Sequence, residues 1–185
     1  MEQTNLKTAL LVMDMQAGLL AGFPGSEPLI ANNKKAIDYA RQNNIPVIFV
    51  SLGFRPTFVE ISNTNKGFMA AKERFDGADM NEFVKIHPGL DRKADETWVV
   101  KRRVSAFTGS DLEVVLRGSN IRHIVLTGIA TSGVVLSTLR EASDKDYQIT
   151  VLADCCADGD EEVHRVLTTK VFPRQAEVIN VEEWK

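Results

Sequence analysis

The stretch IVLTGIATSGVVLSTLRE, residues 124–141, decides the fold. A short apolar run ends at Gly128, a tight turn follows, and apolar residues then recur with helical spacing. This order of strand, turn and helix places the free N–H groups of a helix start beside the carboxyl end of a strand. In an open parallel sheet, ligands bind at that edge. The stretch therefore predicts an α/β protein whose functional site includes the turn.

The rest of the chain repeats the same alternation of short apolar runs and helical patterns. Strands are predicted at 8–13, 46–51, 97–100, 123–127, 148–153 and 177–180. Helices are predicted at 28–43, after an S-x-x-E capping box at Ser110 and Glu113, at 132–143 and from Asp160. We therefore expect a doubly wound, three-layer α/β/α domain spanning residues 1–185, with a six-stranded parallel sheet in the order 3-2-1-4-5-6.

Composition limits the classes of partner and the compartment. The formal net charge is -3, which gives no reason to expect a nucleic-acid partner. No apolar run approaches the roughly 20 residues of a membrane span, and the N-terminal MEQTNLKT lacks the pattern of a signal peptide. We therefore expect a cytoplasmic protein with no membrane partner, in which the adjacent Cys155 and Cys156 are reduced core residues.

Two charged residues directly follow apolar strands. Asp14 follows the first strand, and Lys101 follows the third. The expected strand order puts strands 1 and 4 side by side, so Asp14 meets the 128–134 turn with Lys101 nearby. An Asp–Lys pair beside a helix start can transfer protons, but it is equally compatible with an ordinary strand-end ion pair.

Three motifs shift that balance: LLVMDMQ at 10–16, VVKRRVSAF at 99–107 and LTGIATSGVV at 126–135. Together with VLADCCAD at 151–158, they resemble the isochorismatase-like hydrolases, a group containing isochorismatases, nicotinamidases and N-carbamoyl amidohydrolases. The resemblance implies a catalytic Asp14 and Lys101 acting with a cysteine nucleophile. It also implies a cis peptide at Ile129–Ala130 and backbone donors for an oxyanion in the turn, at Ile129, Ala130, Gly133 and Val134.

The nucleophile position departs from the family pattern G-x-x-T-x-x-C-V. Gly128, Thr131 and Val135 match, but Val134 stands where the cysteine belongs. Three interpretations remain open. The first is a non-covalent hydrolase in which Asp14 is a general acid, as the resemblance to isochorismatases without the cysteine implies. The other two are a nucleophile displaced to Thr131, Ser132, Cys155 or Cys156, and a small-molecule-binding or regulatory protein without turnover.

The expected ligand is a small, anionic metabolite, and no cofactor is expected. Candidate lining residues are Gln16, Arg55, Phe107, Thr131 and Ser132, with Arg55 suited to bidentate binding of a carboxylate. The histidines are far apart in sequence, and none lies between residues 51 and 85. We therefore expect no metal site, which disfavours a nicotinamidase.

The segment 52–92 has no clean periodicity. Long irregular segments in compact domains usually cover a site or contact a partner. The resemblance implies a homodimer or higher homo-oligomer, and the segment carries apolar residues that look exposed in the sequence: Phe54, Phe58, Phe68 and Met69. We therefore expect the segment either to cover the site or to form an oligomer contact.

Overall fold

The computed structural model describes residues 6–184. Residues 1–5, on which the prediction about the N-terminus depends, and residue 185 lie outside the described part. None of the described helices is long and apolar enough to cross a membrane. Six parallel strands form one sheet in the order β3-β2-β1-β4-β5-β6, as predicted. They are β1 (Thr8–Met13), β2 (Val47–Leu52), β3 (Thr97–Lys101), β4 (His123–Ile129), β5 (Gln148–Ala157) and β6 (Glu177–Ile179).

The helices connect these strands and cover both faces of the sheet. They are α1 (Ala17–Leu20), α2 (Ser26–Gln42), α3 (Lys66–Phe75), α4 (Met80–Phe83), α5 (Leu112–Gly118), α6 (Leu136–Asp144) and α7 (Glu161–Val166). Shorter helical turns occur at Pro88–Leu90, Thr131–Val135, Leu167–Val171, Phe172–Arg174 and Val181–Glu183.

The central strands read as continuous apolar runs because helices cover both of their faces. Leu11 and Met13 of β1 point into a core built with α5 and α6, which includes Leu116 and Leu139. Leu10 and Val12 point to the opposite face, against α2. The alternation of side chains along a strand therefore produces two hydrophobic cores and the three-layer architecture.

Strands β1 and β4 pair with Met13 opposite Gly128. A Cβ atom at position 128 would lie 1.9 Å from the Met13 carbonyl oxygen, and the φ angle of Gly128 is 124°. Only glycine fits this contact. The close approach brings the residue after β1, Asp14, beside the turn that follows β4.

Two details of the predicted helices are wrong. Helix α6 begins at Leu136 rather than at Ser132, because a π-type turn, Thr131–Val135, precedes it. The predicted capping box at Ser110 and Glu113 does not form. Ser110 Oγ accepts a hydrogen bond from Leu112 N–H and donates to Ala106 O, while Glu113 pairs with Lys145.

Three aromatic residues of segment 52–92 that look exposed in the sequence are buried. Phe54, Phe58 and Phe68 pack with Met80 and Phe83 in a third hydrophobic cluster. Hydrophobic burial therefore stabilises this segment over the carboxyl edge of the sheet. Phe54, Phe58 and Phe68 are used internally, whereas Met69 is half-buried and lies outside this cluster. The homo-oligomer stays a prediction that depends on the family resemblance.

Candidate active site

Asp14 and Lys101 meet at the carboxyl edge of the sheet. Lys101 ends β3, and its side chain reaches past the end of β2 to place Nζ 2.9 Å from Asp14 Oδ2. The Lys101 side chain is 1% exposed and that of Asp14 is 8% exposed. The Asp14 backbone N–H donates to Val50 O at 2.8 Å, which fixes the carboxylate at the point where β1 ends.

The hydrogen bonds of the pair leave one oxygen available. Lys101 Nζ also donates to Arg103 O and Val104 O, both at 3.0 Å, so three acceptors match its three protons. Among the described residues, Asp14 Oδ1 has no hydrogen-bond partner. Burial raises the pKa of Asp14, and the charge and hydrogen bond of Lys101, together with the nearby backbone N–H of Leu52, offset only part of that effect. Asp14 can therefore exchange a proton closer to neutral pH than an ordinary aspartate does.

A cavity of about 390 Å³ opens beside this pair. Its wall combines the ends of β1 and β3, the turn after β4 and one side of α3. The lining residues are Asp14, Leu19, Leu52, Asn65, Gly67, Phe68, Ala71, Lys101, Val104, Ile129, Ala130, Gly133 and Val134. The wall is mostly apolar, and the two ionisable side chains on it are those of Asp14 and Lys101.

The turn contributes four of these lining residues: Ile129, Ala130, Gly133 and Val134. The Ile129–Ala130 peptide is cis, as the family resemblance implied. The Gly133 N–H donates to Ala130 O at 3.0 Å, so it is not free for a ligand in this conformation. As oxyanion donors, the remaining backbone groups of the turn stay a prediction.

Hydrogen bonds to two side chains outside the turn, those of His164 and Asp158, stabilise its conformation. Thr131 is fully buried, and its Oγ1 lies 2.8 Å from His164 Nδ1 of α7. The Asp158 carboxylate accepts a hydrogen bond from Ser132 N–H at 2.7 Å. Burial lowers the pKa of His164, and the charge of Asp158 opposes this. His164 lies 33 residues after Thr131, and no sequence signal links the two.

Asn65 is another cavity residue that the sequence did not single out. Its side-chain Oδ1 accepts from Phe68 N–H at 3.1 Å and so caps the start of α3. Because that contact fixes Oδ1 toward the helix, Nδ2 is the group left for a ligand. Its residue type, directly before a helix, was the available signal.

Gln16 does not line the cavity, contrary to the prediction. It is completely buried, and Nε2 donates to Leu52 O at 3.0 Å and to Phe83 O at 2.6 Å. Its Oε1 accepts from Leu52 N–H at 2.8 Å. All of its polar atoms are therefore used in joining the chain after β1 to β2 and α4.

Phe107 and Arg55 also lie away from the cavity. Phe107 packs in the core beside Tyr147, with ring centroids 5.9 Å apart. The Arg55 side chain is 62% exposed, and its Nη1 lies 3.5 Å from Glu60 Oε1. Arg55 is therefore not among the residues that line this cavity, and its recognition of a carboxylate stays a prediction.

The residues proposed as displaced nucleophiles also lie away from this cavity. Thr131 is bonded to His164, and Ser132 is exposed without acting as a side-chain cap. Cys155 and Cys156 are free and buried. Burial raises the pKa of Cys155 far above its ordinary value and that of Cys156 to about 12. None of the four lines the cavity beside Asp14.

No cluster of three or more His, Cys, Asp or Glu side chains suited to a metal ion occurs within residues 6–184. His123 bonds to Thr8 and Thr150 within the sheet. His87 caps the turn at Pro88–Leu90 through Gly89 N–H. With His164 bonded to Thr131, the three histidines serve separate local structures.

A doubly wound parallel sheet, with an Asp–Lys pair and a cis-peptide turn at its switch point, is the arrangement that the resemblance to the isochorismatase-like hydrolases implied. The isochorismatase domain family matches residues 8–183, and the chain belongs to this family. It is 33% identical over 185 residues to the uncharacterized isochorismatase family protein YwoC of Bacillus subtilis, covering 96% of this chain and 92% of YwoC.

Other relatives carry a named activity or a solved structure. The ureidoacrylate amidohydrolase RutB of Pseudomonas syringae is 36% identical, with 95% of this chain and 77% of RutB covered. An isochorismatase family protein from Burkholderia thailandensis superposes with a TM-score of 0.83 at 27% identity, covering 95% of this chain and 92% of that one. The N-carbamoylsarcosine amidase of Thermoplasma acidophilum shares the fold, with a TM-score of 0.77 at 23% identity and coverage of 96% and 98%.

Proposed function

We propose that the protein is a hydrolase of small molecules that uses Asp14 and Lys101 as a non-covalent acid–base pair. The observation that supports this most is the buried pair itself, 2.9 Å apart, on the wall of a cavity that also holds Val134. A valine side chain has no nucleophilic atom, so an attack on the substrate falls to water.

In the proposed reaction on an amide, Asp14 takes a proton from a water molecule, and the hydroxide oxygen bonds to the carbonyl carbon. Asp14 then returns that proton to the leaving nitrogen as the C–N bond breaks. On an enol ether, protonated Asp14 would instead give its proton to the double-bond carbon, and water would add to the resulting oxocarbenium carbon while losing a proton to Asp14. Asp14 would then return that proton to the leaving oxygen as its C–O bond breaks. The raised pKa of Asp14 favours both roles, because proton transfer is most effective near the operating pH. Lys101 orients the carboxylate and stabilises its charged form.

A screen of small amides and enol ethers tests the proposal. We expect turnover that falls by about 10²–10⁴-fold in Asp14→Asn, since that is the typical contribution of a positioned acid or base. Asp38→Asn is the matched control, because Asp38 lies on α2 in an exposed pair with Lys34. Turnover that survives Asp14→Asn would refute the mechanism.

The competing class is a binding or regulatory protein with the same fold. It predicts thermal stabilisation by a screened compound with no product formed by the wild type or by Asp14→Asn. A covalent adduct trapped on Thr131, Ser132, Cys155 or Cys156 during turnover would instead support a displaced nucleophile. Mass spectrometry of the intact protein distinguishes this outcome from the proposed one.

Val134→Cys tests whether Val134 occupies the family's nucleophile position. A thiol there would lie at the turn before α6 and near Lys101, both of which favour the thiolate. We expect iodoacetamide to alkylate it faster than free cysteine below pH 8. Wild type is the control, because its two cysteines are buried and have raised pKa values. An unreactive new thiol would show that the position is assigned incorrectly.

A further inference from the structure

We infer that the cavity beside Asp14 selects neutral, mainly apolar carbonyl compounds and rejects carboxylates. The inference rests on the proposed function for the site's location but concerns what the site binds. It departs from the anionic ligand expected from sequence.

Within the described residues, the cavity wall has no cation available to pair with a substrate carboxylate. Among residues 6–184, Lys101 is the one cationic side chain on the cavity wall. Its three N–H donors already face Asp14 Oδ2, Arg103 O and Val104 O. A substrate carboxylate would have to displace one of these bonds, and displacing Asp14 would leave two anions side by side.

Three arginines lie near the cavity without lining it: Arg55, which the sequence offered for a carboxylate, Arg102 and Arg103. Arg55 Nη1 and Arg102 Nε each lie 3.5 Å from Glu60 Oε1, and Arg103 Nη2 donates to Glu60 O at 2.8 Å. Arg102 also donates to Gly53 O at 3.1 Å. All three guanidinium groups therefore contact Glu60, and none of them lines the cavity. The Arg103 guanidinium also lies 5.6 Å from the ring centroid of Phe68, which belongs to the cavity wall.

The cavity wall is mostly apolar and offers little to a charged group. Leu52, Phe68, Val104 and Val134 present apolar surface, and Asp14 carries a negative charge when ionised. A carboxylate entering this space would lose hydration without gaining a paired charge, which is unfavourable. The start of α3 at Asn65 favours an anion, but a helix N-terminus typically changes affinity by less than about tenfold.

The polar groups that remain fit a neutral ligand. Asp14 Oδ1 is an acceptor without a partner among the described residues, and Asn65 Nδ2 is a donor. A primary amide has both complementary groups, an N–H for Asp14 and a carbonyl oxygen for Asn65. The apolar wall suits an alkyl or aryl substituent on the carbonyl carbon.

Matched pairs of ligands test the inference without requiring turnover. The neutral amides are butyramide, hexanamide and benzamide, and their carboxylated partners are succinamate, adipamate and 4-carbamoylbenzoate. Binding is measured by equilibrium dialysis with the intact amide quantified on both sides. We expect each neutral amide to bind at least about tenfold more tightly than its partner. Equal or tighter binding of the carboxylates, or no binding of any neutral amide at 10 mM (roughly the weakest affinity worth assigning), would overturn the inference.

A variant that adds a cation sharpens the test. Val104 lines the cavity and is 41% exposed, so Val104→Arg places a guanidinium at the rim without burying it. We expect it to tighten 4-carbamoylbenzoate binding at least fivefold while benzamide changes less than twofold. Val114→Arg, at a 74% exposed position of α5 away from the cavity, is the control and should change neither. No gain in Val104→Arg would contradict the electrostatic argument.

The outcome is separable from that of the proposed reaction. A protein that binds benzamide selectively but hydrolyses no amide would support the inference and refute the proposed catalysis. Hydrolysis of succinamate abolished by Asp14→Asn, with no binding of neutral amides, would do the reverse.

Discussion

Two carboxylates of this protein, Asp14 and Glu60, lie beside positive charges, yet their pKa values shift in opposite directions. Burial is the largest effect at both and opposes ionisation. At Asp14 burial prevails over the single cation Lys101, so the pKa is raised. At Glu60 the backbone N–H groups of Glu60 and Arg55, with the charges of Arg55 and Arg102, outweigh burial and lower the pKa.

This difference separates a reactive carboxylate from a structural one. The pKa of Glu60 is lowered by backbone N–H groups and by two arginines, Arg55 and Arg102, whose side chains its carboxylate holds. Among the described residues each carboxylate has one buried oxygen without a hydrogen-bond partner, Asp14 Oδ1 and Glu60 Oε2. Asp14, however, has a single cationic partner and a raised pKa, so it can exchange a proton closer to neutral pH. The number of neighbouring cations alone would not identify Asp14, which has fewer of them, as the carboxylate suited to proton transfer.

The largest expected effect comes from removing the cation beside Asp14. Lys101→Met leaves a buried carboxylate unpaired, and we expect a loss of about 3–5 kcal/mol in the free energy of unfolding at pH 7. Urea denaturation measures it. Lys145→Met is the control, because Lys145 pairs with half-exposed Glu113 and such pairs contribute at most about 1 kcal/mol. Equal losses in the two variants would show that Asp14 and Lys101 are not effectively buried.

A double-mutant cycle then isolates the pair. Asn is suited to position 14, where φ is 56°, because it tolerates the left-handed region. We expect Asp14→Asn combined with Lys101→Met to be less destabilising than the sum of the single changes by about 1–3 kcal/mol, the range for groups in direct contact. Additive losses would mean that the 2.9 Å contact carries no net coupling.

The sequence predicted the fold well because its signals are local. Short apolar runs predicted six strands, and the right-handed crossover rule left few possible orders for them. Asp14 and Lys101 were predicted to approach each other because both follow strands of that sheet. The need for glycine at position 128 comes from the structure, where its φ angle and its contact with Met13 exclude a side chain.

The rest of the site depends on contacts that local patterns do not encode. Arg55 follows β2 and looked directed at the cavity, but Glu60, five residues later, holds it at the surface. Gln16 lies two residues after Asp14, yet its amide is used by the backbone of β2 and α4. The bond between Thr131 and His164 joins residues 33 apart in sequence. Side-chain partners of this kind are decided by tertiary packing.

The pH dependence of stability should have opposite signs for the two carboxylates. The raised pKa of Asp14 contributes stability that is present below about pH 4, the ordinary Asp value, and is lost as pH rises through the folded value. The lowered pKa of Glu60 contributes stability above its ordinary value, and this is lost as pH falls through the folded value.

Accordingly, wild-type stability minus that of Asp14→Asn should fall as pH rises from about 4, at up to about 1.4 kcal/mol per pH unit. Wild-type stability minus that of Glu60→Gln should rise with pH at acid pH. Urea denaturation at half-unit intervals gives both slopes. Slopes of the same sign would eliminate the contrast between the two groups.

The smallest effect is expected at the arginine that the sequence placed in the site. Arg55→Met removes a 62% exposed member of the Glu60 cluster, and we expect it to cost about 1 kcal/mol or less. Because Arg55 lies outside the cavity, the KM for any amide found in the screen should change less than twofold, with kcat unchanged. A residue that bound a substrate carboxylate would raise KM instead, since uniform binding energy is lost when such a contact is removed. A tenfold rise in KM would therefore show that Arg55 contacts the substrate. Segment 52–92 would then have to move toward the cavity when the substrate binds.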